Sequence, residues 1–584
     1  METKPKNLKK VITTLLGYCR KERWSLAAAI LLAIASAILL IIGPSKIQEI
    51  TDYIFAGLSS SIDLAAITQV GVILLIIFLI SAICDFIQHY MMATIAQKIS
   101  WRMRRDIDQK INRLPLKYFS KNSYGDVMSR ITNDVDSVGQ GLSDNVAETV
   151  AAATQVLGCL VMMIITDLPL ASVTIVTTVF GLFIMLKILK RSQKYFAARQ
   201  KSLGALNGYI EETYSGHGVI RVLHAEETSH TKFVKFNQAV RTADFKSQFL
   251  SGLMHPVMHF TGNLGYVAVC VVGAILVING HITFGVVTAF LIYVRLFSQP
   301  LSQIAQAIAV LQSVAAATER VFEFLGEEEL SNDSDKLASL DKVSGQVEFK
   351  NIEFAYPDNP KAEVIHNFSA IVKPGQKVAI VGPTGAGKTT LVNLLMRFFE
   401  ASGGEIFIDD IKITDLKRSA VHSLFGMVLQ DTWLFEGTVR ENLKFNSPDI
   451  SDEKMVKVCK ACGIDDFIRN LPKGYDTVLS DRTTLSAGEK QLFTIARVMI
   501  QNHPMIILDE ATSNVDTRTE LKINKAMDEL MANRTSFVIA HRLSTIKNAD
   551  LILVLKDGDI IEQGTHAQLL KKGGFYADIY QSQF

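Results

Sequence analysis

Between residues 25 and 305 the chain carries six stretches of predominantly apolar residues, at 25–45, 67–90, 147–166, 168–188, 257–278 and 284–305. Each is about as long as a helix needs to be to cross the hydrocarbon core of a bilayer, roughly 20 residues for ~30 Å. In lipid no water is available to the backbone, so each run must satisfy its own N–H and C=O groups, and runs of this length do so as α-helices. The front half is therefore expected to be an all-α six-helix transmembrane domain. The third and fourth runs are separated only by Thr166-Asp167-Leu168-Pro169-Leu170, and the fifth and sixth by Asn279-Gly280-His281-Ile282-Thr283. Both read as tight turns.

Orientation follows from the placement of Lys and Arg. The N-terminal arm (Lys4, Lys6, Lys9, Lys10, Arg20, Lys21, Arg23) and the connections 93–146 and 189–250 are rich in them, whereas the opposite connections hold almost none beyond Lys46. Both termini are expected on the cytoplasmic side, which fits an even number of spans. The first apolar run continues from Trp24 to about Pro44, too long for a cleaved signal peptide, and reads as a signal anchor. The two long connections have apolar residues at helical spacing and lack the Pro, Gly and Ser runs of ordinary linkers. They are expected to carry the spans onward as helices to two contact elements, near Ser123–Asp134 and Glu211–Val222. Five ionisable residues fall within or beside spans: Asp85, His89, His255, His259 and Arg295. Each is a candidate cargo contact, set against the plainer reading of a side chain reaching for the interface.

A net charge of +2 gives no basic field for nucleic acid. The six cysteines show no disulfide framework. Cys459-Lys460-Ala461-Cys462 has no second ligand pair nearby, so two small apolar side chains on a helix is the better reading than zinc.

After Leu325 the composition changes. Residues 326–344 read as a linker, and from Gly345 short β-rich runs alternate with helical patterns, the signature of an α/β domain. The expected order is a cytoplasmic arm (1–24), the six-helix domain (25–325), the linker (326–344) and a nucleotide-binding domain (345–584).

Gly382-Pro383-Thr384-Gly385-Ala386-Gly387-Lys388-Thr389 lies between the β-like run Lys377–Val381 and a helical pattern that opens with Thr390. Strand, glycine loop and helix together make a P-loop. Its glycines let backbone N–H groups approach phosphate oxygens, and the helix N-terminus adds a positive dipole end. Lys388 reaches the β- and γ-phosphates of ATP and Thr389 holds Mg²⁺; Thr390 completes the expected nucleotide contacts. Downstream, the apolar strand Met505-Ile506-Ile507-Leu508 ends in Asp509-Glu510. Asp509 is placed for Mg²⁺, and Glu510 as general base toward the attacking water.

With these motifs the chain resembles the ABC transporter superfamily, specifically bacterial multidrug-type exporters in which membrane and nucleotide-binding domains are fused, and the resemblance covers essentially the whole chain. Leu485-Ser486-Ala487-Gly488-Glu489 stands at the family's signature position. The resemblance implies that Tyr356 stacks on adenine, and that Gln430 links the Mg²⁺ and water site to the membrane domain. It also implies that Ser513-Asn514-Val515-Asp516 contacts the other subunit and that His541 is the switch histidine near the γ-phosphate. Tyr118-Phe119 with Gly125-Asp126 and Arg130-Ile131-Thr132-Asn133-Asp134 resembles the first coupling region, and Glu211-Glu212-Thr213 with Gly216 and Val219-Ile220-Arg221 the second. One membrane domain and one ATPase domain make half a transporter, which must dimerise. Ser486 and Gly488 would then contact nucleotide held by the opposite subunit.

The usual signature reads Leu-Ser-Gly-Gly-Gln, and this chain departs from it at Ala487 and Glu489. A methyl group hinders close backbone approach, and a carboxylate is unhelpful beside a triphosphate. The segment Thr477–Thr484 also lacks the family's usual Gly-Glu pair. A complete set of ATP residues with an altered signature is the pattern of one member of a heterodimer, set against a tolerant homodimer. The expected function is ATP-driven export of amphipathic or hydrophobic small molecules across a bacterial cytoplasmic membrane. A lipid translocase is the alternative, and an ATP-gated channel or sensor the competing class, disfavoured by the intact Glu510 and His541. The aromatic residues Phe260, Tyr266, Phe290, Tyr293 and Phe297 suit amphipathic cargo but equally suit packing.

Overall fold

The computed structural model describes residues 8–58, 61–340, 342–445, 447–480, 485–509, 516–539 and 546–583. Two compact units emerge, one comprising 1–112 and 124–327, the other 113–123 and 328–584.

The first unit is helical throughout. The helices that carry its apolar runs are α1 (Arg23–Gly57), α2 (Leu64–Ile111), α3 (Val146–Thr166), α4 (Leu168–Ser215), α5 (Met254–Ile278) and α6 (Phe284–Leu325), with a further long helix, Glu226–Gly252, leading into α5. Among the described residues six helices are long and apolar enough to cross a membrane. Side chains at the turns start them: Asp63 accepts from Ala66 N (3.0 Å), Asp167 from Leu170 N (2.9 Å), and Thr283 caps α6. Each supplies the oxygen that a helix N-terminus lacks. At 48 residues each, α2 and α4 run for ~70 Å, more than twice a hydrocarbon core. The core gathers Phe290, Tyr293 and Phe297 of α6 with Ile41, Met163 and Val269 from α1, α3 and α5.

The helical run Tyr124–Thr166 contains two single π-turns, Arg130–Asp134 and Gly141–Asn145. Asp134 is buried and accepts both nitrogens of the Arg320 fork, at 2.9 and 2.5 Å. The residues that group with the second unit are Arg113–Ser123, immediately upstream, and Asp134 is locked into the first.

The second unit contains β1 (Val347–Ala355), β2 (Glu363–Val372), β3 (Lys377–Val381), β4 (Gly403–Ile408), β5 (Ile411–Lys412) and β6 (Phe425–Val428). It continues with β7 (Gly437–Thr438), β8 (Val478–Leu479), β9 (Met505–Asp509), β10 (Thr535–Ile539), β11 (Leu551–Lys556) and β12 (Asp559–Gly564). Its main helices are α7 (Lys388–Leu395), α8 (Ala487–Gln501) and α9 (Thr517–Met531). The larger sheet has the order β12-β11-β3-β10-β9-β6, parallel except for β12. A four-stranded antiparallel sheet, β2-β1-β4-β5, lies beside it. One core packs α7 between the sheets through Leu391, Leu394 and Leu395; a second surrounds α8 and α9 through Phe493, Ile495 and Ile523. Within this unit Lys121 pairs with Asp358 (2.6 Å) and Leu330 N donates to Arg113 O (2.9 Å).

Cys459 and Cys462 lie in the second core, where burial pushes their thiols up to about 11 and about 12. Cys462 Sγ sits 3.3 Å from Met499 Sδ. Both behave as small apolar residues.

Candidate functional site

Three of the motifs read from sequence end strands of the same parallel sheet. The P-loop follows β3, Asp509 closes β9, and Gln430 stands two residues beyond β6. In open α/β sheets the carboxyl ends of the strands form the binding edge. The three strand ends are near neighbours there because β10 alone separates β3 from β9, and β6 flanks β9.

The P-loop requires its glycines. Gly385 and Gly387 have φ of 86° and 96°, the left-handed region that side chains disfavour. A Cβ on Gly387 would lie 2.6 Å from Ile365 Cδ1, and one on Gly382 would lie 2.3 Å from the Leu555 carbonyl. Gly387 is also the N-cap of α7 and carries no capping side chain, so the first amides of α7 are not bonded by a cap. Lys388 folds over the loop, donating to Gly382 O (2.8 Å) and Pro383 O (3.0 Å). Burial lowers its ammonium pKa below the usual lysine value, and the Asp509 carboxylate opposes that shift. Backbone carbonyls thus hold the place of an anion for a buried cation. Pro383, Thr384 and Thr389 are exposed, while Ala386 and Thr390 are buried.

Tyr356 follows β1, edge-on to Phe354 and Phe399 at 5.0 and 5.4 Å between ring centres. Its hydroxyl is 2.9 Å from Thr390 Oγ1. Thr390 is thus turned inward, tying Tyr356 to the helix that begins at the P-loop. Glu510, Ser513, Asn514, Val515 and His541 lie outside the described residues. Asp516 is described and caps α9, accepting from Arg518 N and Thr519 N at 3.0 Å each.

Two family descriptions match the chain: ABC transporter transmembrane region over residues 26–301, and ABC transporter over 365–513. The chain is 44% identical over 516 residues, 88% of its length and 81% of the relative's, to a fatty acid ABC transporter ATP-binding/permease protein of Mycobacterium bovis. The chain belongs to the ABC transporter family. It is 36% identical to an ATP-dependent lipid A-core flippase of Syntrophus aciditrophicus, across 88% of this chain and 85% of that one. A bacterial Atm1-family ABC exporter solved with ATP bound superposes with a TM-score of 0.77 at 25% identity, covering 96% of this chain and 98% of the other. This ABC protein is thus an exporter half-transporter with fused membrane and ATP-binding domains, a multi-pass membrane ATPase whose hydrolysis is coupled to transport.

The ABC signature adds a feature that sequence reading missed. Ser486 is the N-cap of α8, and Glu489 completes a reciprocal box with it. Glu489 Oε2 accepts from Ser486 N and from Ser486 Oγ, each at 2.8 Å, while Ser486 Oγ accepts from Glu489 N at 3.2 Å. The carboxylate is thus integrated at the helix end, where the dipole favours it. Ser-x-x-Glu before an apolar helix was the signal that could have found it. Gly488 is buried.

Further along α8, Arg497 donates to Asn442 O (2.8 Å) and Trp433 O (3.2 Å). The segment after Gln430 is thereby fastened to the signature helix.

The ionisable residues near the spans separate into two groups. His89 Nε2 lies 3.7 Å from Glu148 Oε1 of α3, and its Nδ1 lies 2.9 Å from Asp85 O and 3.6 Å from Asp85 Oδ1. His259 and Arg295 are exposed, and the side chain of His255 is outside the described set.

Proposed function

We propose that this half-transporter exports amphipathic molecules by alternating access, driven by ATP held at a seam between two subunits. The observation that carries the reading is the convergence of the P-loop, Asp509 and Gln430 on one edge of a parallel sheet, in a chain with six candidate spans. Lys388, released from the Gly382 and Pro383 carbonyls, takes the β- and γ-phosphates, and the unbonded amides of α7 take phosphate oxygens. The exposed Thr389 hydroxyl, the Asp509 carboxylate and the Gln430 amide oxygen are hard oxygen donors, which suits Mg²⁺. The ion, when bound, neutralises developing charge on the phosphates. Glu510 then accepts a proton from the attacking water, His541 contacts the γ-phosphate, and Tyr356 stacks on adenine.

Ser486 and Gly488 serve the ATP of the opposite subunit. Complete ATP residues beside an altered signature favour a heterodimer, in which this chain supplies the P-loop of the faster site. Both termini and the nucleotide-binding domain lie on the cytoplasmic side of a bacterial cytoplasmic membrane. A lipid-like cargo is the reading the relatives favour, because their names specify fatty acid and lipid A-core.

Glu510→Gln tests the chemistry. ATP binding should be retained while turnover falls at least ~100-fold. The trapped dimer should hold nucleotide stably in a closed form visible by cross-linking. Turnover within a few-fold of the parent would remove Glu510 from the base role.

A further inference from the structure

The six membrane helices do not treat their exposed faces alike. On α2 the exposed positions include Leu75, Leu79 and Phe86, and on α4 Val176 and Phe183, which are faces suited to acyl chains. The span at the start of α6 is the least apolar of the six and the most buried. Its buried side contributes Phe290, Tyr293 and Phe297 to the core. Among the described residues, the only large apolar side chains exposed between its start and Val310 are Phe284 and Val310 themselves, at the two ends.

What α6 exposes between those ends is polar. Arg295, Gln299 and Gln303 are exposed and spaced four residues apart, so they form one stripe along the helix. Arg295 lies ~16 Å along the axis from Phe284, about halfway through a ~30 Å hydrocarbon layer. Among the described residues no side chain pairs with it. From residue 245 to residue 318 the sequence contains no Asp or Glu, so α5 and the membrane part of α6 offer it no counter-ion. A guanidinium at that depth is costly unless it meets water or an anion, and two amides on the same face make the stripe poorly suited to hydrocarbon tails.

We infer that Arg295 is the head-group site of the transport pathway and that its ligand is the carboxylate of a long-chain acyl amphiphile, a fatty acid anion. This deepens the exporter reading proposed above and rests on it. The planar fork of a guanidinium matches a carboxylate with two parallel hydrogen bonds, and a single positive charge balances a single negative one. Gln299 and Gln303 continue the stripe as neutral donors.

The test uses the dimer purified from membranes and reconstituted in vesicles. ATPase stimulation by oleate and by its uncharged methyl ester is measured for the parent, Arg295→Gln and Arg295→Lys. The parent should respond to the acid at a concentration about ten-fold lower than to the ester, the size of one charge-assisted bidentate contact. Arg295→Gln should bring acid and ester within about three-fold of each other, and Arg295→Lys should fall between. The ester response gives each variant its own folding control. An acid-over-ester preference that survives Arg295→Gln overturns the assignment. So does a stronger response to dioleoyl phosphatidic acid than to oleate that the same substitution removes, because the ligand would then be a phosphate ester. So does protection of the Arg295→Cys variant from aqueous maleimide at that position in the ligand-free dimer, because the second subunit would then cover the stripe. A parent that responds to neither acid nor ester overturns the amphiphile-export reading itself, a result distinct from the loss of discrimination.

Discussion

Two helices in this chain point their N-termini at sites where phosphate is expected, and they are finished in opposite ways. α7 begins at Gly387, which has no side chain to offer, and no capping group bonds its first turn. α8 begins at Ser486, whose hydroxyl and backbone amide are both engaged by Glu489. The first end is open to an anion; the second already holds one of its own. The chain therefore brings one uncapped helix N-terminus and one capped by its own carboxylate to the dimer, and a partner carrying the same sequence would do the same. The difference gives physical content to the altered signature: the charge that seemed merely obstructive in the sequence acts by closing a helix end.

The comparison breaks first at Lys388. Lys388→Ala should reduce ATP turnover by at least ~100-fold and weaken ATP binding at least ~10-fold, read by ATPase rate and by nucleotide titration. Near-parental values would mean that the uncapped end is not used. Gly387→Ala tests whether the left-handed turn that shapes this end matters. The added methyl meets Ile365 in a left-handed backbone and should introduce ~1–3 kcal/mol of strain, with ATP affinity falling ~10-fold. If affinity holds, the loop tolerates a side chain in its left-handed turn.

Glu489→Gln sharpens the other side and should have two effects of opposite sign. Removing the carboxylate from the helix end should cost ~0.3–1 kcal/mol of thermal stability, seen as a lower Tm. It should also raise the ATP affinity of the assembled dimer by roughly three- to ten-fold, because the negative charge no longer faces the incoming phosphates. A variant that loses stability without gaining affinity would confine Glu489 to capping. The smallest effect is expected for Tyr356→Phe, which keeps the ring and removes the hydroxyl bonded to Thr390. Loss of that bond is worth ~1 kcal/mol, so the KM for ATP should rise about two- to five-fold with kcat little changed.

Much of this arrangement is legible in the residues. The six spans need only length and composition, and the P-loop announces itself because strand, glycines and helix stand in the only order that makes the loop. The side-chain partners of Thr390 and Glu489 are harder to read, because both are polar residues at a nucleotide motif. Thr390 is turned inward because the first turn of α7 points it at Tyr356, a residue 34 positions away that local sequence cannot place. The role of Glu489 is legible in its spacing from Ser486, which is that of a capping box. Which residues group with each unit depends on tertiary contacts: 113–123 clusters with the second unit, while Asp134 is held in the first by Arg320. The polar stripe of α6 was equally hidden. Arg295 was visible as an anomaly, but its pairing with Gln299 and Gln303 on an exposed face depends on which side of the helix the core claims.

The bond from Arg497 to the Trp433 carbonyl has a practical consequence for optical work. The chain has three tryptophans, at 24, 101 and 433, and only the last belongs to the second unit. Its indole is 70% exposed, three residues past Gln430 and fastened to the signature helix. With the other two replaced by phenylalanine, intrinsic fluorescence would come from this one position. The emission wavelength of a single native ring would then follow the closing of the seam in real time, without any attached dye.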